Sequence, residues 1–211
     1  MNNNIPLLSE MLRPHCLSEL NVEQGIINSL QNMASKGSIL NLLFYGQPGI
    51  GKTSAARILF KEMGAEVYEI NGSFNNGDKT MVKAIESFAW SMSLLNGPKI
   101  CFIDEADFMS KEAQASLRYL IERVSSNTRF LLTANDINRL SPALRSRCHP
   151  ICFDVRPADT RSVVNKMTER YIDKLKALNI NADPDRLAEI VGIYFPDLRS
   201  IANQFQMEFA N

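Results

Sequence analysis

Lys52 is the side chain most plainly placed for chemistry. It belongs to Gly46-Gln47-Pro48-Gly49-Ile50-Gly51-Lys52-Thr53, a full match to the phosphate-binding pattern G-x-x-x-x-G-K-[ST]. The three glycines let the backbone curl until successive N–H groups face one concavity. The positive end of a helix opening at Lys52-Thr53-Ser54 adds to that field, which suits an anion. In such a loop the lysine ammonium reaches the β- and γ-phosphates of a nucleoside triphosphate, and the Thr53 hydroxyl is a ligand for Mg2+. An accidental Gly/Pro turn is the competing explanation. The apolar strand expected at Leu42–Tyr45 and the helix expected at Lys52–Met63 argue against it.

A second constellation follows in Ile100-Cys101-Phe102-Ile103-Asp104-Glu105-Ala106-Asp107. Four apolar residues ending in acids place carboxylates at the carboxyl end of a buried strand, the edge at which open α/β sheets bind ligands. Asp104 is placed to hold the Mg2+ shell, and Glu105 to polarise a water for attack on the γ-phosphate. Adjacent acids at a strand end also form solvated turns, but the upstream loop favours the catalytic assignment. Asn135 ends another apolar run and can orient a water beside Glu105, or simply cap a turn. The first role requires its strand to neighbour both nucleotide strands. Phosphoryl transfer also needs positive charge around the γ-phosphate, which arginine supplies in a planar fork. Arg145, Arg147 and Arg199 are candidates, each equally readable as a surface arginine.

Two periodicities position these groups. Strands are expected at Leu42–Tyr45, Glu66–Ile70, Ile100–Asp104, Arg129–Thr133 and Ile151–Phe153. Helices are expected at Val22–Ser35, Lys52–Met63, Thr80–Leu94 and Lys111–Val124. That alternation predicts an α/β fold, a mostly parallel sheet with helices on both faces. Beyond Pro157 no strand pattern recurs, and Asp159–Leu178, Asp183–Ile193 and Leu198–Phe209 read as helices. The expected division is an α/β nucleotide-binding domain over residues 1–156 and a small all-helical domain over 157–211.

Composition bounds the partners. The chain has 211 residues and balances 23 basic against 23 acidic side chains, so no whole-molecule pull toward nucleic acid exists. Any such contact would come from a local cluster or from several subunits together. No stretch approaches the ~20 apolar residues of a membrane span. The start lacks a basic segment followed by an apolar one, so an intracellular protein is expected: cytoplasmic, or nuclear in a eukaryote. Cys16, Cys101, Cys148 and Cys152 form no C-x-x-C pair, and Cys148, His149 and Cys152 have the wrong spacing for a zinc knuckle.

The order Leu12-Arg13-Pro14, phosphate loop, Asp104-Glu105-Ala106-Asp107, Thr133-Ala134-Asn135, Ser146-Arg147-Cys148 and Pro196-Asp197-Leu198-Arg199 resembles the ATPase core of AAA+ sliding-clamp loaders. The likeness, close to replication factor C small subunits and the T-even-phage loader ATPase, runs from about Leu12 to Phe205. Ser146-Arg147-Cys148 is its most specific element. The resemblance implies an ATPase with ATP and Mg2+ as cofactors, and as partners a sliding clamp, other loader subunits and primer–template DNA. It further implies that Arg147 is an arginine finger reaching a neighbouring subunit's ATP. Asn135 would be a first sensor, Arg199 a second sensor from the helical lid, and Arg13 and Pro14 neighbours of the adenine. By the same resemblance Asn71 restrains Glu105, and Lys79, Thr80, Lys83 and Arg118 contact DNA phosphates, although charged helix faces are as readily explained by solvation. Trp90, Met92, Leu94 and Leu95 are expected in the core or, failing that, on a clamp-facing edge. Loader subunits usually carry a third, collar-forming helical domain, while this sequence stops at Asn211: it is a trimmed fragment, it assembles differently, or the collar belongs to another chain. The zinc-binding cysteine insertion of bacterial loader subunits is missing. An ATP-binding scaffold with little hydrolysis and another DNA-associated AAA+ motor are the alternatives.

Overall fold

The computed structural model describes residues 7–73, 79–93 and 97–209, with the side chains of Lys79 and Thr80 outside the description. Five strands, β1 (Leu42–Tyr45), β2 (Glu66–Asn71), β3 (Lys99–Asp104), β4 (Arg129–Ala134) and β5 (His149–Cys152), form one parallel sheet in the order β2-β3-β4-β1-β5. Strand β4 therefore lies between the phosphate-loop strand β1 and the acid strand β3. This is the neighbourhood that a functional role for Asn135 requires.

Alternating side chains along each strand feed two cores, as the pleat demands. Leu42, Phe44, Ile100, Phe102 and Leu131 face helices α2 (Gln24–Lys36) and α3 (Lys52–Met63). Leu43, Cys101, Ile103, Phe130 and Leu132 face α4 (Lys79–Trp90) and α5 (Lys111–Arg123). Phe102 is fully buried and meets Phe60 edge-on at 5.3 Å. Replacing Phe102 by alanine is expected to destabilise the protein by about 3–5 kcal/mol, read as a lowered urea midpoint.

A third core joins α7 (Pro157–Ala177), α8 (Pro184–Tyr194) and α9 (Leu198–Phe209), centred on Met167, Tyr171, Leu187, Ile201 and Phe205. Pro157 opens α7 where its missing N–H costs nothing, and the Asp183 carboxylate accepts the Asp185 N–H to cap α8. The short helix α1 (Leu8–Met11) belongs spatially to this cluster. Leu8 and Leu12 are buried in it, and the Leu8 N–H donates to Gln206 Oε1 at 2.7 Å.

Two expectations need correction. Trp90 is 50% exposed and Met92 88% exposed, so neither is core; the apolar face of α4 ends at Ala89. Leu94 and Leu95 lie outside the described residues. The last strand runs His149–Cys152 rather than Ile151–Phe153, because β5 is an edge strand, where Pro150 is tolerated. No helix among the described residues is long and apolar enough to cross a membrane.

Candidate nucleotide site

The loop Gly46–Gly51 leaves β1 and enters α3 through Gly46 (φ 142°), Gly49 (φ 79°) and Gly51 (φ 103°), conformations that a side chain resists. Gly49 is doubly constrained, since a Cβ there would stand 2.2 Å from Asp197 Oδ1. Lys52 is 7% exposed. Its ammonium donates to Gly46 O at 2.7 Å, Gln47 O at 2.8 Å and Asn135 Oδ1 at 2.9 Å. Burial lowers its pKa, against the opposing fields of Asp107, Asp154, Asp104 and Glu105.

The acids are organised by β4. Thr133 donates to Asp104 Oδ1 at 2.5 Å and accepts the Glu105 N–H at 2.9 Å. The Thr53 hydroxyl donates to Asp104 Oδ1 at 2.9 Å. Glu105 itself sits at φ 55°, a left-handed conformation of the kind that persists where the surrounding structure holds it. These groups line a cavity of about 540 Å³ together with Arg13, Pro14, Asn71 and Arg199.

Other sequence candidates fall elsewhere. Arg147 does not line the cavity; its Nε donates to Glu122 Oε1 at 2.7 Å and its Nη1 to Ala143 O at 2.5 Å. Arg145 likewise lies outside it, at the end of α6 (Pro142–Arg145). Asn71 Oδ1 accepts the Ser73 N–H and hydroxyl at 2.8 and 2.6 Å, which fixes the side chain at the end of β2. Lys83 and Arg118 are exposed on α4 and α5. The cysteines are free thiols, and burial pushes Cys148 up to about 12.

Sequence reasoning missed the supports. Besides Thr133, Asp154 Oδ1 accepts the Gln47 N–H at 2.8 Å from the end of β5. On the lid side the Leu198 N–H donates to Gly49 O at 3.2 Å, and Asp197 caps α9 by accepting from the Arg199 and Ser200 amides. The aspartate of Pro196-Asp197-Leu198 before a helical run was the available signal.

A parallel sheet offering a glycine-rich anion loop and an acid pair at its carboxyl edge defines a P-loop nucleotide-binding protein. The model of the ATPase family associated with various cellular activities (AAA) matches residues 42–154, and the chain belongs to that family. It is similar to replication factor C subunit 3 of Saccharomyces cerevisiae, 34% identical over 211 residues that cover 96% of this chain and 59% of that protein. Replication factor C subunit 5 of Mus musculus is 33% identical, with 96% and 60% covered. The replication factor C small subunit of Methanococcus maripaludis is 32% identical, with 93% and 62% covered. The chain thus spans about 60% of the length of these relatives. The solved structure of the Thermotoga maritima RuvB Holliday junction branch migration motor shares the fold, with a TM-score of 0.70 at 20% identity, covering 93% of this chain and 64% of that one.

Proposed function

We propose that the chain is an ATPase subunit of a DNA sliding-clamp loader, using ATP binding and hydrolysis to open a ring clamp and load it onto primer–template DNA during replication. The observation that carries this reading is the buried Lys52 ammonium, held between the loop carbonyls and Asn135 beside the Thr53–Asp104 pair. It occurs in a chain one third identical to replication factor C subunits.

Thr53 and Asp104 offer adjacent hard oxygen donors, which fit Mg2+; that ion, when bound, supplies charge neutralisation on the β- and γ-phosphates. The chain's own groups do the rest. Loop amides and Ser54 at the start of α3 cradle phosphate, Lys52 binds the β- and γ-oxygens, and Arg13 and Pro14 flank the base. Glu105 accepts the proton of the attacking water, Asn135 holds the terminal phosphate beside it, and Arg199 reaches that phosphate from the lid. Arg147, turned away from the chain's own cavity, serves the site of a neighbouring subunit. The division near Pro157 separates an ATPase unit from a lid that borrows α1.

Duplex phosphates are contacted through Lys79, Thr80, Lys83 and Arg118, a few per subunit, so affinity falls with salt and ignores sequence. The protein works inside the cell, in the cytoplasm or nucleus. An ATP-binding scaffold with little turnover is the second reading, favoured by the pairing of Arg147 with Glu122 in the single chain. ATPase assays with and without a candidate clamp, partner subunits and primed DNA separate the two: stimulation by clamp plus primed DNA supports loading, and turnover indifferent to both removes it. Lys52→Ala is expected to weaken ATP binding by ~10²–10³-fold, the loss of about two charge-assisted hydrogen bonds. Calorimetric binding checks this, and unaltered affinity would displace the phosphate loop from the site.

A further inference from the structure

Asp107 closes the run Asp104-Glu105-Ala106-Asp107, yet unlike Asp104 and Glu105 it does not line the cavity. It is 6% exposed, on the 3₁₀ turn Ala106–Phe108. Its Oδ2 accepts two consecutive amides from the neighbouring strand's exit, Asn135 N and Asp136 N, each at 3.2 Å. Its Oδ1 is buried with no hydrogen-bond partner among the described residues. A carboxylate this enclosed is costly unless its charge is answered. The Lys52 ammonium, which feels the charge of Asp107, is itself bonded to the Asn135 side chain.

We propose that Asp107 is a positioning residue for discrimination of ATP from ADP: by gripping the Asn135 and Asp136 amides it sets the direction in which Asn135 meets the terminal phosphate. The geometry is specific. Two N–H groups converging on one oxygen fix the peptide planes on both sides of Asn135, and with them the direction in which its side chain leaves the backbone. In the structure its amide oxygen accepts from Lys52, the group that marks the β- and γ-phosphate position. The inference rests on the nucleotide reading above.

Binding of ADP and of a non-hydrolysable ATP analogue, compared on the full chain, tests it without any need for turnover. Asp107→Ala is expected to leave the ADP Kd within about threefold and to weaken the analogue about tenfold, one misdirected hydrogen bond to a charged group. Asn135→Ala should do the same. The double variant should lose no more than either single one, because Asp107 acts through Asn135. Asp107→Asn, which keeps an oxygen acceptor for the two amides, should restore the ratio to within about threefold of the parent. Undiminished discrimination in Asp107→Ala, multiplicative losses of about a hundredfold in the double variant, or failure of Asp107→Asn to rescue would each overturn the proposal. If Asp107→Ala shows no cooperative thermal unfolding, Asp107→Ser, whose hydroxyl falls short of the amides, carries the same comparison. An analogue that binds parent and Lys52→Ala chains equally sinks the nucleotide reading itself. Loss confined to the Asp107 comparison leaves that reading standing.

Discussion

Arg147→Ala is expected to lower ATP turnover in the assembled protein by ~10³–10⁵-fold, the range typical of an arginine finger supplied in trans. The residue lies between α6 and β5, outside the cavity of its own chain, with its guanidinium against Glu122. Glu122 is 51% exposed, and an ion pair so open to water contributes only ~0–1 kcal/mol. Exchanging Glu122 for a neighbour's γ-phosphate is therefore cheap, while the charge stabilised in the transition state is large. Mixing supplies the decisive measurement. Arg147→Ala chains keep a complete phosphate loop, and Lys52→Ala chains keep the finger, so a mixture should recover hydrolysis that neither shows alone. No recovery at any ratio would place Arg147 in cis or outside the reaction.

Glu105→Gln should leave ATP bound and reduce turnover by ~10²–10⁴-fold, the usual share of a general base. The exchange preserves size and the backbone contact, since the Glu105 N–H that Thr133 accepts is unaffected. Affinity resides mainly in the loop amides and Lys52, so binding has little reason to change. What disappears is a carboxylate held at φ 55° on the cavity wall, able to take a proton. Rapid-quench single-turnover assays on the Arg147-competent assembly, beside analogue affinity, measure both halves. Turnover equal to that of the parent would remove Glu105 from its role.

Local patterns were legible wherever the physics is local. The bounds Leu42–Tyr45, Lys52–Met63 and Leu198–Phe209 coincide with β1, α3 and α9, because each joins a clean periodicity to a glycine, proline or aspartate boundary. The parallel α/β architecture followed from strands separated by helix-length crossovers. Helices α1 and α6, four residues each, are too short to show a period. Trp90 and Met92 carry apolar side chains but stand beyond the end of the buried stripe, a fact that only packing reveals. Within the site, Gly46–Thr53 and Asp104–Glu105 are contiguous and readable. Thr133 and Asp107 matter because β4 lies beside β3, and Asp154 because β5 lies beside β1; neighbour relations in a sheet are written nowhere in the linear order.

Leu8 and Leu12 have one further implication, for biosynthesis. The helical bundle they complete is made after the sheet, and the bond from Leu8 to Gln206 spans 198 positions. Ribosomes release the two leucines well before α9, so both must wait in water, or under a chaperone, until that helix has emerged. Closing so distant a contact is entropically expensive and slow. The bundle therefore matures only once α9 has emerged, and until then two apolar side chains near the start stay without their packing partners.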